Sequence, residues 1–301
     1  MLIAGFRIRH PALKHEEPMK SPWVIIGIVV GALFLVFIVV LFAVGLRDSE
    51  AGIGGKSVGL VEVLGVITDA RTTVRQIRYM TRQSDVPVIL LHVDSPGGVV
   101  TPSQEIYSEL KRAKAKGKKL VVSMGTLAAS GGYYISAPAD VIVANPGTTT
   151  GSIGVKLELP NIEGLLKKLG MSVDVVKSSE FKDIGSPYRP MQPEERQLMQ
   201  GMIVDVYDQF VSAVAEDRNL PRDSVLKFAD GRVFSGRQAQ SYGLVDSLGT
   251  LNDAVAIASA LAGLGDDPHI SRPPKPFRLR DFVMEDIVAR FLMPRLAYLA
   301  W

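Results

Sequence analysis

The segment Ser123-Met-Gly-Thr-Leu-Ala-Ala-Ser-Gly-Gly-Tyr-Tyr-Ile-Ser136 decides how the rest of the chain is read. Its opening continues the apolar run Lys119-Leu-Val-Val-Ser123, which predicts a buried strand. Small residues follow, then Ser130 and two glycines, and then Tyr133 to Ala137, which predicts a helix. The chain must turn tightly between the two. A serine at a strand-to-helix turn projects its hydroxyl from the rim of a sheet. It also lies near helix N-terminal N–H groups, which stabilise developing negative charge. The same serine serves equally well as an N-cap followed by packing glycines.

Outward from this turn, strands and helices alternate. Ser57 to Ile67 reads as a first strand, Ala70 to Gln83 has helical spacing, and Val86 to Val93 is a second buried strand closed by Asp94-Ser-Pro-Gly-Gly98. Pro102 to Lys116 predicts a helix, with Thr101 as N-cap and Pro102 at the first helical position. Asp140 to Asn145 is another short strand. Thr148 to Val155 is glycine-rich and predicts a tight bend. Ile162 to Leu169 reads as a short helix, Ser172 to Lys177 as a strand and Ser178 to Met191 as a loop. A long helix is expected from about Pro193 to Asp217, with Ile203, Val206, Tyr207, Phe210, Val211 and Val214 on its core face. Strand–helix alternation of this kind implies an α/β domain with a largely parallel sheet.

The N-terminal part reads differently. Residues 1–22 are polar and basic, with Arg7, Arg9, Lys14 and Lys20, and residues 23–46 carry no charged side chain. A bilayer core is spanned by about 20 apolar residues, so Trp23 to Leu46 is long enough to cross it. A cleavable signal peptide has a shorter apolar region and a small-residue cleavage site, and Ala43-Val-Gly45 matches the latter poorly. A retained anchor is therefore expected. The basic residues ahead of the span place the N-terminus in the cytoplasm and the rest of the chain on the other side of the cell membrane. A linker (47–56), a globular domain (57–265) and a tail (266–301) complete the expected organisation. The tail's apolar stretch Asp281 to Trp301 suits a packed, partner-bound or interfacial helix.

Composition narrows the chemistry. The chain has 301 residues, a net charge of +3 and no cysteine. Its densest basic run, Lys111 to Lys119, reads as a solvated helix end, so no nucleic-acid partner is implied. The lack of cysteine removes thiolate chemistry and disulfides. His10, His15, His92 and His269 are scattered without metal-ligand spacing, so neither a metal nor another cofactor is expected. A nucleophilic serine needs a base. His92 lies inside an apolar strand and His269 in the tail, so a Ser-His-Asp triad is poorly supplied. A neutral lysine is the other option, provided burial depresses its pKa. Lys182, in Ser178-Ser-Glu-Phe-Lys-Asp-Ile-Gly-Ser-Pro187, stands among small and apolar residues outside any charge run, although a surface lysine paired with Asp183 fits the same spacing. Ser95-Pro-Gly-Gly98 offers unobstructed backbone N–H groups for an oxyanion, or a plain Pro-Gly turn.

Together, Asp94-Ser-Pro-Gly-Gly98, Ala129-Ser-Gly-Gly-Tyr-Tyr134, Thr150-Gly-Ser-Ile-Gly154 and Phe181-Lys-Asp-Ile-Gly-Ser-Pro187 resemble the S49 family of serine peptidases, the signal peptide peptidase A group in its short form. Gly231-Arg-Val-Phe-Ser-Gly-Arg-Gln-Ala239 and Gly243-Leu-Val-Asp246 are similar too, and the resemblance spans roughly residues 57–262. It implies a crotonase-like fold related to the Clp protease subunit, and a Ser-Lys dyad. Ser130 matches the nucleophile and Lys182 the general base. Gly97 and Gly98, with the Gly131 N–H, match the oxyanion donors, and Ser152 matches a serine that helps to hold the lysine. It also implies homo-oligomers whose active sites combine residues of adjacent subunits, acting on signal-peptide remnants and other apolar peptides near the membrane.

A non-catalytic membrane scaffold that keeps the fold is the main alternative, although the presence of both Ser130 and Lys182 argues against it. An acyl-CoA hydratase or isomerase is a third, opposed by the Ser/Lys pair and the membrane span. A lysine accepts a proton only when uncharged. The rate of peptide hydrolysis is therefore expected to rise with pH through a depressed lysine pKa. A rate that stays flat down to acid pH would remove Lys182 from that role.

Overall fold

The computed structural model describes residues 55–274 and, in a separate N-terminal segment, residues 23, 26–27, 30–36 and 38–39, which are helical. The chain divides between residues 53 and 54. Half of the span expected at 23–46, and all of the apolar stretch expected at 281–301, lie outside the described residues. Among the described residues no helix is long and apolar enough to cross a membrane.

The globular part begins with β1 (Ser57–Leu64), α1 (Arg71–Arg82), β2 (Val88–Ser95), α2 (Val100–Ala115), β3 (Lys119–Ala129), α3 (Gly131–Ser136) and β4 (Val141–Ala144). It continues through β5 (Thr149–Gly151), α4 (Glu163–Lys168), a 3-10 turn (Glu180–Asp183), α5 (Pro193–Asp217) and α6 (Arg222–Leu226). It closes with β6 (Val233–Ser235), α7 (Gly236–Ser241), β7 (Ser247–Leu248), α8 (Leu251–Ala262) and β8 (His269–Ser271). The sheet runs β6-β5-β3-β2-β1-β8, with β4 paired to β3 and β7 to β4. Every pairing is parallel except β5 with β6. The α/β class with a largely parallel sheet is as expected.

The central strands are apolar on both faces because both faces are covered. On one side Val61, Val63, Ile89, Leu91, Val93, Leu120, Val122, Met124 and Ile142 join residues of α1, α2 and α5 in the larger core. On the other side Val58, Leu60, Val88, Leu90, Val121 and Val143 meet Ala254 and Ala258 of α8. Each such Leu, Ile or Val contributes roughly 1.5–3 kcal/mol by its burial.

β3 positions the site. Its first half pairs with β4 (Val121 to Met124) and its last residues pair with β5 (Leu127 to Ala129). Where it changes partner it bulges: β3 advances from Met124 to Ala128 while β2 advances only from Val93 to Ser95. Two side chains close the bulge. The Asp94 carboxylate accepts from the Leu127 N–H at 3.0 Å, and the Thr148 hydroxyl donates to the Gly125 carbonyl at 2.7 Å.

Several boundaries differ from the sequence expectation. The second helix starts at Val100 with Val99 as its N-cap, which puts Pro102 within the first turn, where its missing N–H is harmless. Thr148 to Val155 contains β5, a strand that β3 and β6 impose from either side. Residues 172–177 form no strand, since they have no ladder partner; Val173 and Val175 are half exposed and Val176 wholly so. Phe210, Val211 and Val214 of α5 are buried as expected, with Tyr207 packed against them.

Candidate active site

Ser130 joins β3 to α3 with φ 53° and ψ −121°. For a residue with a side chain this is a strained backbone, costing of order 1–3 kcal/mol. Hydrogen bonds fix it on both sides: its N–H donates to the Gly151 carbonyl at 2.9 Å, and its carbonyl accepts from the Tyr134 N–H at 2.8 Å. The Thr150 hydroxyl donates to the Ala128 carbonyl at 2.6 Å, locking β5 to the end of β3. The result is a sharp elbow with Ser130 in the wall of a cavity of about 630 Å³. Among the described residues the Ser130 hydroxyl has no hydrogen-bond partner.

The cavity brings together most of the residues the sequence singled out. Gly97, Gly98, Ser130, Gly131 and Ser152 all line it. Gly98 and Gly131 are pressed together: a Cβ on Gly131 would lie 3.2 Å from the Gly98 nitrogen and 2.6 Å from the Ser103 hydroxyl. A Cβ on Gly98 would lie 2.1 Å from the Ile67 carbonyl oxygen, which leaves room for glycine alone. The Gly97 N–H is already used, donating to the Ser95 hydroxyl at 3.1 Å, so Gly97 contributes its φ of 92° to the turn. The Gly98 and Gly131 N–H groups have no acceptor among the described residues. Ser152 also has a positive φ, 51°, and its N–H donates to the Arg232 carbonyl.

Lys182 does not line this cavity. It lies in the 3-10 turn and is exposed. Asp183 beside it pairs with Lys177 at 2.6 Å and Arg189 at 2.9 Å. The Arg189 guanidinium, followed by the Lys177 ammonium, holds the Asp183 carboxyl well below the usual carboxylate range. Arg189 also pairs with Glu195, whose carboxyl is lowered to about 2 by that contact and by the Gln192 N–H. His92 and His269 lie away from the cavity.

Sequence reasoning missed much of the remaining wall, including Val66, Val100, Gln104, Tyr134, Val206 and Phe210, with Lys156 and Asp230. Tyr134 is held by Tyr107 (centroids 4.8 Å apart) and edge-on by Phe210 (5.0 Å). In sequence these aromatic residues carry only a core signal.

The fold and this elbow define a mixed α/β protein of the Clp-protease-like kind. A model of Clp protease matches residues 63–145, and one of peptidase family S49 matches residues 112–265. A Synechocystis sp. protein provisionally named a protease is 47% identical over 213 residues, 70% of this chain and 76% of that one. Protease 4 of Salmonella typhi is 46% identical over 193 residues, 64% of this chain but 31% of its own length. The chloroplastic serine protease SPPA of Arabidopsis thaliana is 34% identical over 196 residues, 65% of this chain and 29% of its own. The chain belongs to peptidase family S49.

Two outcomes are expected from this geometry. Gly98→Ala should lower stability by about 1–3 kcal/mol, since the new methyl group meets a backbone carbonyl that must move; denaturant unfolding measures it. The Glu195 carboxyl has a folded value of about 2 against an ordinary 4.5. Because the folded value is depressed, its contribution is present above the ordinary value and is lost as pH falls through the folded one. The thermal midpoint should therefore drop between about pH 4.5 and about pH 2, and Glu195→Gln should flatten that window.

Proposed function

We propose that this chain is a membrane-anchored serine endopeptidase using a Ser-Lys dyad, with Ser130 as nucleophile and Lys182 as general base. The observation that supports it best is the strained Ser130 elbow, set in one cavity with the amides of Gly98 and Gly131 and the hydroxyl of Ser152. In this reading Ser130 Oγ attacks the scissile carbonyl carbon while Lys182 Nζ takes its proton. The carbonyl oxygen becomes an anion and accepts from the Gly98 and Gly131 N–H groups, a type of contact worth roughly 10²–10³-fold in rate. The C–N bond then breaks, and the Lys182 ammonium returns the proton to the leaving amine. Water attacks the acyl ester by the same route and frees Ser130. Ser152 helps to hold the amine.

A general base must be uncharged, and burial is what favours the neutral amine, so the reading requires Lys182 to reach a dry site. The arm that bears it exposes the apolar side chains of Leu157, Leu165, Leu169, Met171 and Val176, which suit a partner's cover. We assign that partner to another copy of the chain, so that one copy's Lys182 meets its neighbour's Ser130. Val66, Val100, Tyr134, Val206 and Phe210 in the cavity wall suit apolar side chains of a peptide. Segment 23–46 would act as the lipid anchor, with the N-terminus cytoplasmic and the catalytic part across the membrane. The exposed apolar side chains of Trp23, Leu33, Phe34, Leu35 and Val36 support this. Substrates would be cleaved signal peptides and similar apolar peptides.

Ser130→Ala and Lys182→Ala are each expected to lose at least roughly 10³-fold in turnover of an apolar peptide. Co-assembling the two inactive variants should restore a measurable rate, because some sites then pair an intact serine with an intact lysine. Near wild-type turnover by either variant alone overturns the dyad, and no recovery on co-assembly overturns the shared site.

A further inference from the structure

The arm between β5 and α5 has no hydrophobic anchor of its own. No residue from 154 to 194 is buried. The first buried residue after it is Glu195, in the opening turn of α5, with a side chain only 4% exposed. A carboxylate in that position must be paired, and its partner is Arg189.

Arg189 uses all three guanidinium nitrogens. Nε and Nη2 donate to the two Asp183 carboxylate oxygens, each at 2.9 Å. Nη1 and Nη2 donate to the two Glu195 oxygens at 2.8 and 2.5 Å. Nη2 also reaches the Asp183 backbone carbonyl at 3.4 Å. On the other side of the turn, Lys177 Nζ donates to Asp183 Oδ1 at 2.6 Å and to the Glu180 carbonyl at 2.8 Å. The turn Glu180–Asp183 is thus gripped at its end by Arg189 and across its length by Lys177. Glu195 Oε2 also accepts from the Gln192 N–H at 2.9 Å, which ties the grip to the first turn of α5. Further along, α5 supplies Val206 and Phe210 to the wall of the Ser130 cavity.

We propose that Arg189 is a positioning residue for catalysis: it clamps the turn bearing Lys182, through Asp183, onto the helix that walls the nucleophile's cavity. This rests on Lys182 being the base. An ordinary surface ion pair would not serve, because one Coulombic contact leaves a lysine turn free to shift. Here the contact is two-pronged at both ends, and both carboxylates are largely shielded, Asp183 at 12% and Glu195 at 4% exposure. Arginine is needed because its planar fork spans two carboxylates, whereas an ammonium is a point donor. The clamp acts equally whether Lys182 serves its own copy or a neighbour's, since it fixes the turn relative to α5.

The test uses the purified full chain. With rates expressed per folded molecule, Arg189→Met should lower kcat roughly 100-fold, the effect of a displacement of about 1 Å at a reacting group. KM should stay within about threefold, and Arg189→Lys should recover about a tenth of wild-type kcat, since one prong survives. Should Arg189→Met not fold, Asp183→Asn keeps the shape, loosens the grip and should lower kcat about tenfold. The decisive readout is the rate at which a fluorophosphonate labels Ser130. Either clamp variant should slow labelling in a chain with Lys182 and leave it unchanged in a Lys182→Ala background, because the clamp acts only through that amine. Equal slowing in both backgrounds, or kcat within threefold of wild type in Arg189→Met, overturns the clamp. Lys182→Ala tested alone separates the two failures: wild-type turnover there defeats the base assignment, whereas loss of turnover beside an unimpaired Arg189→Met defeats only the clamp.

Discussion

Everything at the site depends on holding one non-glycine residue in a backbone conformation that it would not adopt by itself. Ser130 sits at φ 53° because the chain around it leaves no other path. β3 begins the sheet beside β4 and ends it beside β5, and the bulge between Met124 and Ala128 lets a single strand do both. By the time the chain reaches Ser130 its neighbours are fixed: Ala129 is in register with Gly151, and the Ser130 amide is bonded to Gly151 itself. A strain of a few kcal/mol is tolerable against bonds that belong to the sheet and would be lost together. The glycines after Ser130 answer the same crowding. Gly131 packs against Gly97, Gly98 and Ser103, and a side chain on Gly132 would meet the Ser95 carbonyl at 2.7 Å.

The chain pairs this rigid half with an arm built on a different principle. The sheet and its helices are held by apolar burial on both faces, with Ile89, Leu90, Leu91 and Val93 of β2 almost wholly enclosed. Residues 155–191 have no such burial and present leucines, valines and methionine outward. The arm is held instead by backbone hydrogen bonds, such as Ile162 N–H to the Pro187 carbonyl at 2.8 Å, and by ions: Lys177, Asp183, Arg189 and Glu195 form a connected set. Ionic anchoring lets a segment keep a defined local shape while its apolar side stays available for a surface that another molecule supplies. Hydrophobic anchoring would have consumed that side.

The sequence made the α/β class and the elbow legible, because both are written in short-range signals: strand-like apolar runs, a helix after each, and small residues where the chain must turn. The five cavity residues named from sequence lie together because each sits at the end of a strand or in the turn that follows one, and parallel strands bring those ends to a common edge. Other features depended on tertiary partners. β5 looked like a bend, since Thr149–Gly151 becomes a strand only between β3 and β6. Residues 172–177 looked like a strand, since alternation of valines does not reveal whether a partner strand exists. The Arg189 bridge was invisible because Asp183 and Glu195 lie six residues to either side of it, a spacing that matches no helix or strand period. The walls supplied by Tyr134 and Phe210 were hidden for the opposite reason: aromatic residues at core spacing look alike whether they face a core or a cavity.

The exposure of Lys182 bears on how such a site can be safe. A serine peptidase whose base and nucleophile were both complete in a free chain would be active wherever that chain happened to be. Here the elbow, the amides and the apolar walls belong to one folded unit, whereas the proposed base is exposed to solvent. In the proposed mechanism the missing step is desolvation, and the apolar arm around Lys182 is the part of the chain that a second copy would cover. Assembly would then switch on the chemistry by removing water from one amine, without rebuilding the nucleophile or its amides. On that reading the strained serine is set in a fixed frame of hydrogen bonds, while the proposed base is carried on a segment without a buried residue.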